Sequence, residues 1–279
     1  MSRASTKDPA GPVLAVEADY DEPKTLKLPG GTAVILSRPS PVPDRINQDA
    51  AAILGAGDES HLLVVADGMG GTRQGGAAAA ALVRQLAAQF TPPDPAKPVR
   101  AAILDGIEGA NAEIHRDLPG SGTTLAAVEI TGTAMRGYHI GDSSIFVVGQ
   151  RGKLKLRSVS HSPVGFAVEA GLLGEDEALL HDELHLVSNM VGSPEMRIEL
   201  GAPLELARFD TVLVASDGLT DNLTVSEIIE SIRKGPLREG VARLVELALS
   251  RMNSEDTGQP GKPDDLSLIA YRRDRSQKG

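Results

Sequence analysis

The run HLLVVADGMGG, residues 61–71, constrains this chain more than any other stretch. Leu62 to Ala66 are apolar without interruption, which demands burial, and the run is too short for a helix. It ends in Asp67, and glycines follow at 68, 70 and 71. An ionised carboxylate at the end of a buried strand is costly unless it is paired or binds metal. The same pattern recurs. GYHIGDSS leads from an apolar segment to Asp142, and TVLVASDGLTD leads to Asp217. RINQDAAAIL puts Asp49 just before a strand, and KPDDLSLIAYR puts Asp264 and Asp265 before the last one.

Other strand-like runs are TAVILS, AAIL, TLAAVEI, AMRGYHI, SIFVVG and ELHLV. Their short lengths and glycine-containing connectors suit antiparallel sheets. Two helix pairs interrupt them. GGAAAAALVRQLAAQF stacks Leu82, Leu86 and Phe90, and PVRAAILDGIEGANAEIHR stacks Ile103, Ile107 and Ile114. The proline-rich TPPDPAKP separates these two, because clustered prolines cannot continue a helix. Near the C-terminus TVSEIIESIRK opens with Thr224 and Glu227 spaced as a capping box. LREGVARLVELALSRM then carries one apolar stripe through Val241, Leu244, Val245, Ala248 and Met252. Residues 1–30 lack sustained periodicity and are expected to be a flexible tail, with PVLAVEA able to add an edge strand. Residues 275–279 form a short C-terminal tail. The block at about 162–194 is weakly patterned and acidic, and is expected to be a flap. The histidines in or next to it, His161, His181 and His185, are read as surface or packing residues.

Hydrophobic residues make up 41% of the 279, enough for a sizeable core, but only 3% are aromatic. That core must therefore be packed with Ala, Val, Leu and Ile. The formal charge of −10 argues against nucleic acid or an anionic membrane as a partner. The absence of cysteine excludes a thiolate nucleophile, thiolate metal ligands and disulfides. No apolar run approaches the roughly 18 residues of a spanning helix. The opening MSRASTKDPAGP has no signal-peptide core, so a cytoplasmic address is expected.

The aspartates have no comparable supply of Lys or Arg beside them in sequence, and a divalent cation would resolve their mutual repulsion. All-oxygen sites suit hard ions such as Mg2+ or Mn2+. The scattered histidines argue against Zn2+. Glycines at 68, 70 and 71 leave room for an ion and an anionic ligand to approach the backbone.

In order, the chain shows RINQDA, VVADGMGG, GSGTTLAAV, HIGDSS, VLVASDGLTD and PDDLSLI. From about residue 32 to 272 it resembles the metal-dependent serine/threonine protein phosphatases, the PPM or type 2C family, in its bacterial form. AVEAGLLGEDEALLH is similar to the family's flap. The resemblance implies an α+β fold of two stacked antiparallel sheets flanked by helix pairs on both outer faces, a four-layer αββα sandwich spanning residues 31–274. It implies two Mn2+ or Mg2+ ions per chain. Asp67 would bridge them, Asp217 and Asp264 would complete one site, and Asp49 with the Gly68 carbonyl would serve the other. Asp142 would help hold a third, weaker ion. Arg45 would contact the substrate phosphate, beside the catalytic Asp67 and Asp217. Water activated by the ion pair would attack phosphorus without a covalent intermediate. The implied substrate is a phosphorylated protein in signalling, a serine/threonine kinase or its targets, met by a monomer.

The chain departs from the family pattern in places. Arg45 precedes Asp49 by four positions where five is usual, which makes Arg38 the alternative. Met69 stands where eukaryotic members carry a histidine, leaving protonation of the leaving group to water. Ser144 replaces the arginine of G-D-S-R, SHSP replaces an acidic D-H-S, and Asp265 follows Asp264 and competes with it as the ligand. The other reading of the chain is a pseudophosphatase that keeps the fold as a binding scaffold.

Overall fold

The structure is a computed structural model that describes residues 11–56, 60–69, 73–91, 94, 96–254 and 260–274. In chain order the elements are β1 (Val13–Val16), β2 (Lys24–Leu28), β3 (Gly31–Arg38), β4 (Ala50–Gly55), β5 (Ser60–Ala66), β6 (Gly68–Met69), α1 (Arg73–Gln89), α2 (Val99–Asp117), β7 (Gly122–Thr123), β8 (Leu125–Thr131), β9 (Ala134–Ile140), β10 (Ser144–Val148), β11 (Leu154–Arg157), α3 (Pro163–Glu169), α4 (Glu175–Ala178), β12 (Glu199–Leu200), β13 (Leu204–Glu205), β14 (Thr211–Ala215), α5 (Asp217–Thr220), α6 (Val225–Ile232), α7 (Leu237–Met252) and β15 (Leu266–Arg273). Among the described residues one sheet runs β1-β4-β5-β8-β9-β12, with β13 also on β9, and a second runs β11-β10-β14-β15-β3-β2. Every pairing in both is antiparallel.

Period-two alternation sorts the buried side chains into three apolar layers. On β5, Leu62 and Val64 face α1 and α2, where they meet Leu82, Leu86, Ile103 and Ile107. Leu63 and Val65 face the other way, onto Ile145, Val212, Val214 and Ile269 of the second sheet. On β14, Leu213 and Ala215 face the C-terminal helices and meet Ile228, Ile232, Val241 and Leu244. The order is therefore helices, sheet, sheet, helices, as the resemblance implies. Both faces of β5 are covered, which is why its sequence shows no polar alternation. The capping box at Thr224 and Glu227 is formed, with both halves of the reciprocal bond present.

Two expectations need correction. The supposed N-terminal tail carries two strands: β1, the edge strand that PVLAVEA was able to add, lies antiparallel on β4 with Val13 opposite Ile53, and β2 pairs with β3. Ala15 and Leu28 are buried in the layer between the sheets, and the Tyr20 N–H donates to the Ser37 carbonyl at 2.9 Å. Both are short outer strands with one buried residue each, so neither carries a sustained apolar pattern. ELHLV, residues 183–187, is turn and irregular chain, not strand. Its apolar residues cover a cavity instead of pairing with a sheet edge, and Leu186 is 40% exposed. Within the flap block, α3 is capped by the Ser162 hydroxyl, which accepts from the Gly165 N–H. Residues 1–10 and 275–279, Gly70 and Gly71 of the glycine-rich turn, and Pro92, Pro93 and Pro95 lie outside the described residues.

Leu63 is fully buried between the sheets. Leu63→Ala should lower unfolding stability by about 2–5 kcal/mol, read from urea denaturation, because the rigid layers on both sides cannot close over the cavity. A loss under about 1 kcal/mol would mean that the inter-sheet layer is loosely packed.

Candidate active site

Antiparallel pairing brings the aspartates to one end of both sheets. Ala50 opposite Ala66 sets Asp49 and Asp67 side by side. Leu125 opposite Ile140 carries Thr124 and Asp142 to the same end. In the second sheet Ser144 pairs with Ala215, and Ala215 with Leu268, which brings Asp217 and the Asp264–Asp265 pair there too. These carboxylates, distant in sequence, share one locality. Asp49, Asp67, Asp142, Asp217, Gly68, Arg45 and Asp264 are the predicted site residues, and all but Asp49 line one open cavity of about 1030 Å³. Asp49 lies beneath it, 2% exposed.

Specific hydrogen bonds fix Asp67 and Asp49. The Asp67 backbone is clamped by the GTT segment: its N–H donates to Thr124 Oγ1 at 2.9 Å, and its carbonyl accepts from Thr123 Oγ1 at 2.8 Å and the Thr124 N–H at 2.9 Å. Thr124 Oγ1 in turn lies 2.6 Å from Ser143 Oγ, tying this clamp to the Asp142 turn. Ser216 donates its hydroxyl to Asp49 Oδ2 at 2.8 Å. Asp49 Oδ1 and Asp142 Oδ1 are buried without a hydrogen-bond partner.

The adjacent aspartates before β15 divide their work. Asp265 spends both oxygens on the loop that precedes Asp49, accepting from the Ser40 N–H and the Gln48 N–H at 2.7 Å each. Asp264 instead faces the acidic cluster, 3.1 Å from Lys262 Nζ. Arg45 is exposed on the cavity wall, and its charge counteracts the upward pull of burial on the Asp265 carboxyl. Arg38, the alternative, sits half-buried on β3 opposite Leu266 and is not among the cavity's lining residues.

Close packing gives the glycines of both Asp-Gly pairs a second cause. A Cβ on Gly68 would lie 2.2 Å from the Gly75 carbonyl oxygen at the start of α1. A Cβ on Gly218 would lie 1.9 Å from the Asp265 carbonyl oxygen. Neither position can hold a side chain without displacing backbone that carries the site.

The electrostatics are those of crowded like charges. Burial, then the charges of Asp217, Asp49, Asp264 and Asp142, holds the Asp67 carboxyl well above its usual range. Burial and neighbouring Asp265 and Asp217 do the same to Asp49. Burial and Asp217 raise Asp142 to about 7 and Asp264 to about 6. Such a set favours either protonation or a bound cation. All its donors are oxygens and two buried ones are unpartnered, which fits Mg2+ or Mn2+.

Sequence reasoning missed two members of this cluster. Lys262, two residues before Asp264, places its ammonium among the carboxylates, which corrects the expectation that no cation accompanies them. Asp221 lies one helical turn after Asp217, 8% exposed, with its Oδ2 2.9 Å from Lys262 Nζ. The spacing of four residues after Asp217 was the available signal, since it puts both carboxylates on one helix face. His185, read from the sequence as a surface or packing residue, lines the cavity with Leu186 and Val187.

His139, His161 and Glu199 form a second cluster of metal-ligand types. His161 Nδ1 accepts from the Gly141 N–H at 3.1 Å and from Asn189 Nδ2 at 2.9 Å. In the neutral ring the proton is therefore on Nε2, which donates to Glu199 Oε2 at 2.9 Å. That arrangement is a hydrogen-bonded clasp joining the base of the flap to β12 and to the turn after β9, and it leaves His161 no lone pair for a metal. His161 is thus a buried packing residue, not a surface one.

A family model described as Protein phosphatase 2C matches residues 43–255. Protein phosphatase PhpP of Streptococcus pneumoniae is 31% identical over 216 residues, covering 70% of this chain and 87% of that protein. Among solved structures, the serine/threonine phosphatase of S. agalactiae superposes with a TM-score of 0.74 at 28% identity, covering 87% of this chain and 99% of that one. The catalytic domain of the serine/threonine phosphatase PstP, solved with two manganese ions, gives a TM-score of 0.66 at 26% identity, covering 86% and 96%. The chain belongs to the protein phosphatase 2C family, in its bacterial serine/threonine form.

The raised carboxyls set a pH dependence. A carboxyl whose folded pKa lies above its unfolded value keeps protons that the unfolded chain releases, so stability falls as pH rises through that window. For Asp142 and Asp264 the window runs from about pH 4 to about 7. In EDTA, the melting temperature should decline from pH 5 to 7.5, and less steeply in Asp142→Asn. Parallel profiles for the two proteins would show that Asp142 is already ionised at pH 5.

Proposed function

We propose that this chain hydrolyses phosphoserine and phosphothreonine in protein substrates, using water activated by divalent cations at the acidic end of the sandwich. The observation that carries this reading is the convergence of Asp49, Asp67, Asp142, Asp217 and Asp264 on one cavity that also presents Arg45. Asp67, Asp217 and Asp264 would hold one ion, and Asp67, Asp49 and the Gly68 carbonyl the other. Bound there, Mn2+ or Mg2+ supplies a water acidified toward neutrality and charge that offsets the phosphoryl oxygens.

The chain's own residues do the positioning. The Thr123–Thr124 clamp fixes the Asp67 backbone, so its carboxylate cannot drift from Asp217. Asp265 fixes the loop that carries Asp49 and, three residues before Gln48, Arg45. The Arg45 guanidinium, free to move on the cavity wall, can donate two parallel hydrogen bonds to a phosphate. The open cavity suits an extended phosphopeptide, with His185, Leu186 and Val187 of the flap as its outer wall.

Hydrolysis of p-nitrophenyl phosphate and of a phosphothreonine peptide should require Mn2+ or Mg2+ and stop in EDTA. Asp67→Asn should lower kcat by at least the roughly 100-fold that loss of one charge-stabilising group costs. Full activity in EDTA or in Asp67→Asn would refute the reading.

The neighbouring aspartates should separate by readout. Asp264→Ala should weaken Mn2+ binding in calorimetry with little change in the melting temperature of the metal-free protein. Asp265→Ala should instead lower stability by about 1–3 kcal/mol, since it strands two backbone donors. The reverse pattern would exchange their roles.

A further inference from the structure

Lys262 Nζ lies 2.8 Å from Asp217 Oδ2, 2.9 Å from Asp221 Oδ2 and 3.1 Å from Asp264 Oδ2. The contacts to Asp217 and Asp221 are hydrogen bonds and that to Asp264 is an ion pair, so three carboxylates surround a group that has donors only. Its placement is built into the backbone. The Lys262 carbonyl accepts from Asn222 Nδ2 at 2.9 Å, and the same amide group donates to the Gly218 carbonyl at 2.9 Å. Asn222 is itself fully buried, and Arg251 binds its carbonyl at 2.8 Å. Pro263 follows, its ring locking its own φ and holding Lys262 before it to extended backbone. The loop is thus pinned to α5, the short helix that begins at Asp217 and is followed directly by Asp221.

Asp221 supplies the second, independent constraint. Its carboxylate is buried, and Lys262 is its hydrogen-bond and ion-pair partner. Asp217 and Asp264 have an alternative use as ligands, but removing Lys262 from Asp221 would strand a buried charge, which is strongly unfavourable. The ammonium therefore remains at Asp221 when metal enters next to it.

We propose that Lys262 is an internal cation of this active site, its ammonium taking at the Asp217–Asp221 carboxylates the place of any divalent ion beyond the pair. This rests on the reading of Asp49, Asp67, Asp217 and Asp264 as a two-ion site. It makes Lys262 a determinant of metal number and affinity. It is a positioning residue and does not contact substrate.

The test counts ions in the full chain, independent of catalysis. Metal-free wild type, Lys262→Met, Lys262→Gln and Lys262→Arg are titrated with Mn2+ by calorimetry, and bound manganese is measured after equilibrium dialysis at pH 7.5. The wild type and Lys262→Arg should each bind two ions. Lys262→Met and Lys262→Gln should each bind one more, or hold the existing pair at least about tenfold more tightly. The glutamine variant keeps a polar side chain of similar reach, so it serves if the methionine variant fails to fold. Equal ion numbers and equal affinities in wild type and the folded neutral variants would overturn the inference for Lys262 alone. A wild type that binds no Mn2+ would overturn the metal reading and this inference with it.

Discussion

Repulsion among carboxylates at one end of the sandwich is the constraint on which the rest of this structure depends. Asp49, Asp67, Asp142, Asp217 and Asp264 each raise the proton affinity of at least one of the others, or have theirs raised by it. A protein that tolerated this arrangement only for stability would be better served by apolar residues. The cluster persists because rigid strands on both sheets hold it, with the GTT clamp, the Ser216 hydroxyl and the Asp265 tether fixing its members one by one. The strain is local, and apolar layers far from it supply the compensation.

Those layers explain how a chain nearly free of aromatic residues can be so rigid. Ala78, Ala79 and Ala81 of α1 are buried against the first sheet, and small side chains let helix and sheet come close. Gly106 of α2 continues the principle, since a Cβ there would lie 2.9 Å from Leu86. Interdigitated aliphatic groups at close packing transmit little slack from one layer to the next. The strand ends, and therefore the carboxylates, inherit that rigidity.

The likeness to relatives holds over nearly the whole fold, with 99% of the S. agalactiae phosphatase covered. Two further features lie beside the carboxylates. Lys262 brings a positive charge among them, and Ser144, Ser158 and Ser160 line a second cavity of about 340 Å³ between the flap and the core. The flap itself is built from short helices and turns, the kind of segment that can vary without disturbing the sheets.

The central strands, the helices α1, α2, α6 and α7 and the acidic strand ends were legible in the sequence, because periodicity and burial are local properties. Leu62 to Ala66 could only be a strand covered on both faces, and Thr224 with Glu227 could only open a helix. Strand β2 was not legible, since KTLKL is too short and too charged to stand out until β3 lies beside it. ELHLV misled because its apolar residues cover a cavity, and periodicity cannot tell a cavity wall from a sheet. The sequence by itself determined which residues carry charge and which segments must be buried. Only the tertiary structure decided that Asp264 faces the cluster while Asp265 ties a loop, and that Lys262 completes the set, because adjacent residues on one chain diverge once antiparallel pairing fixes which way each points.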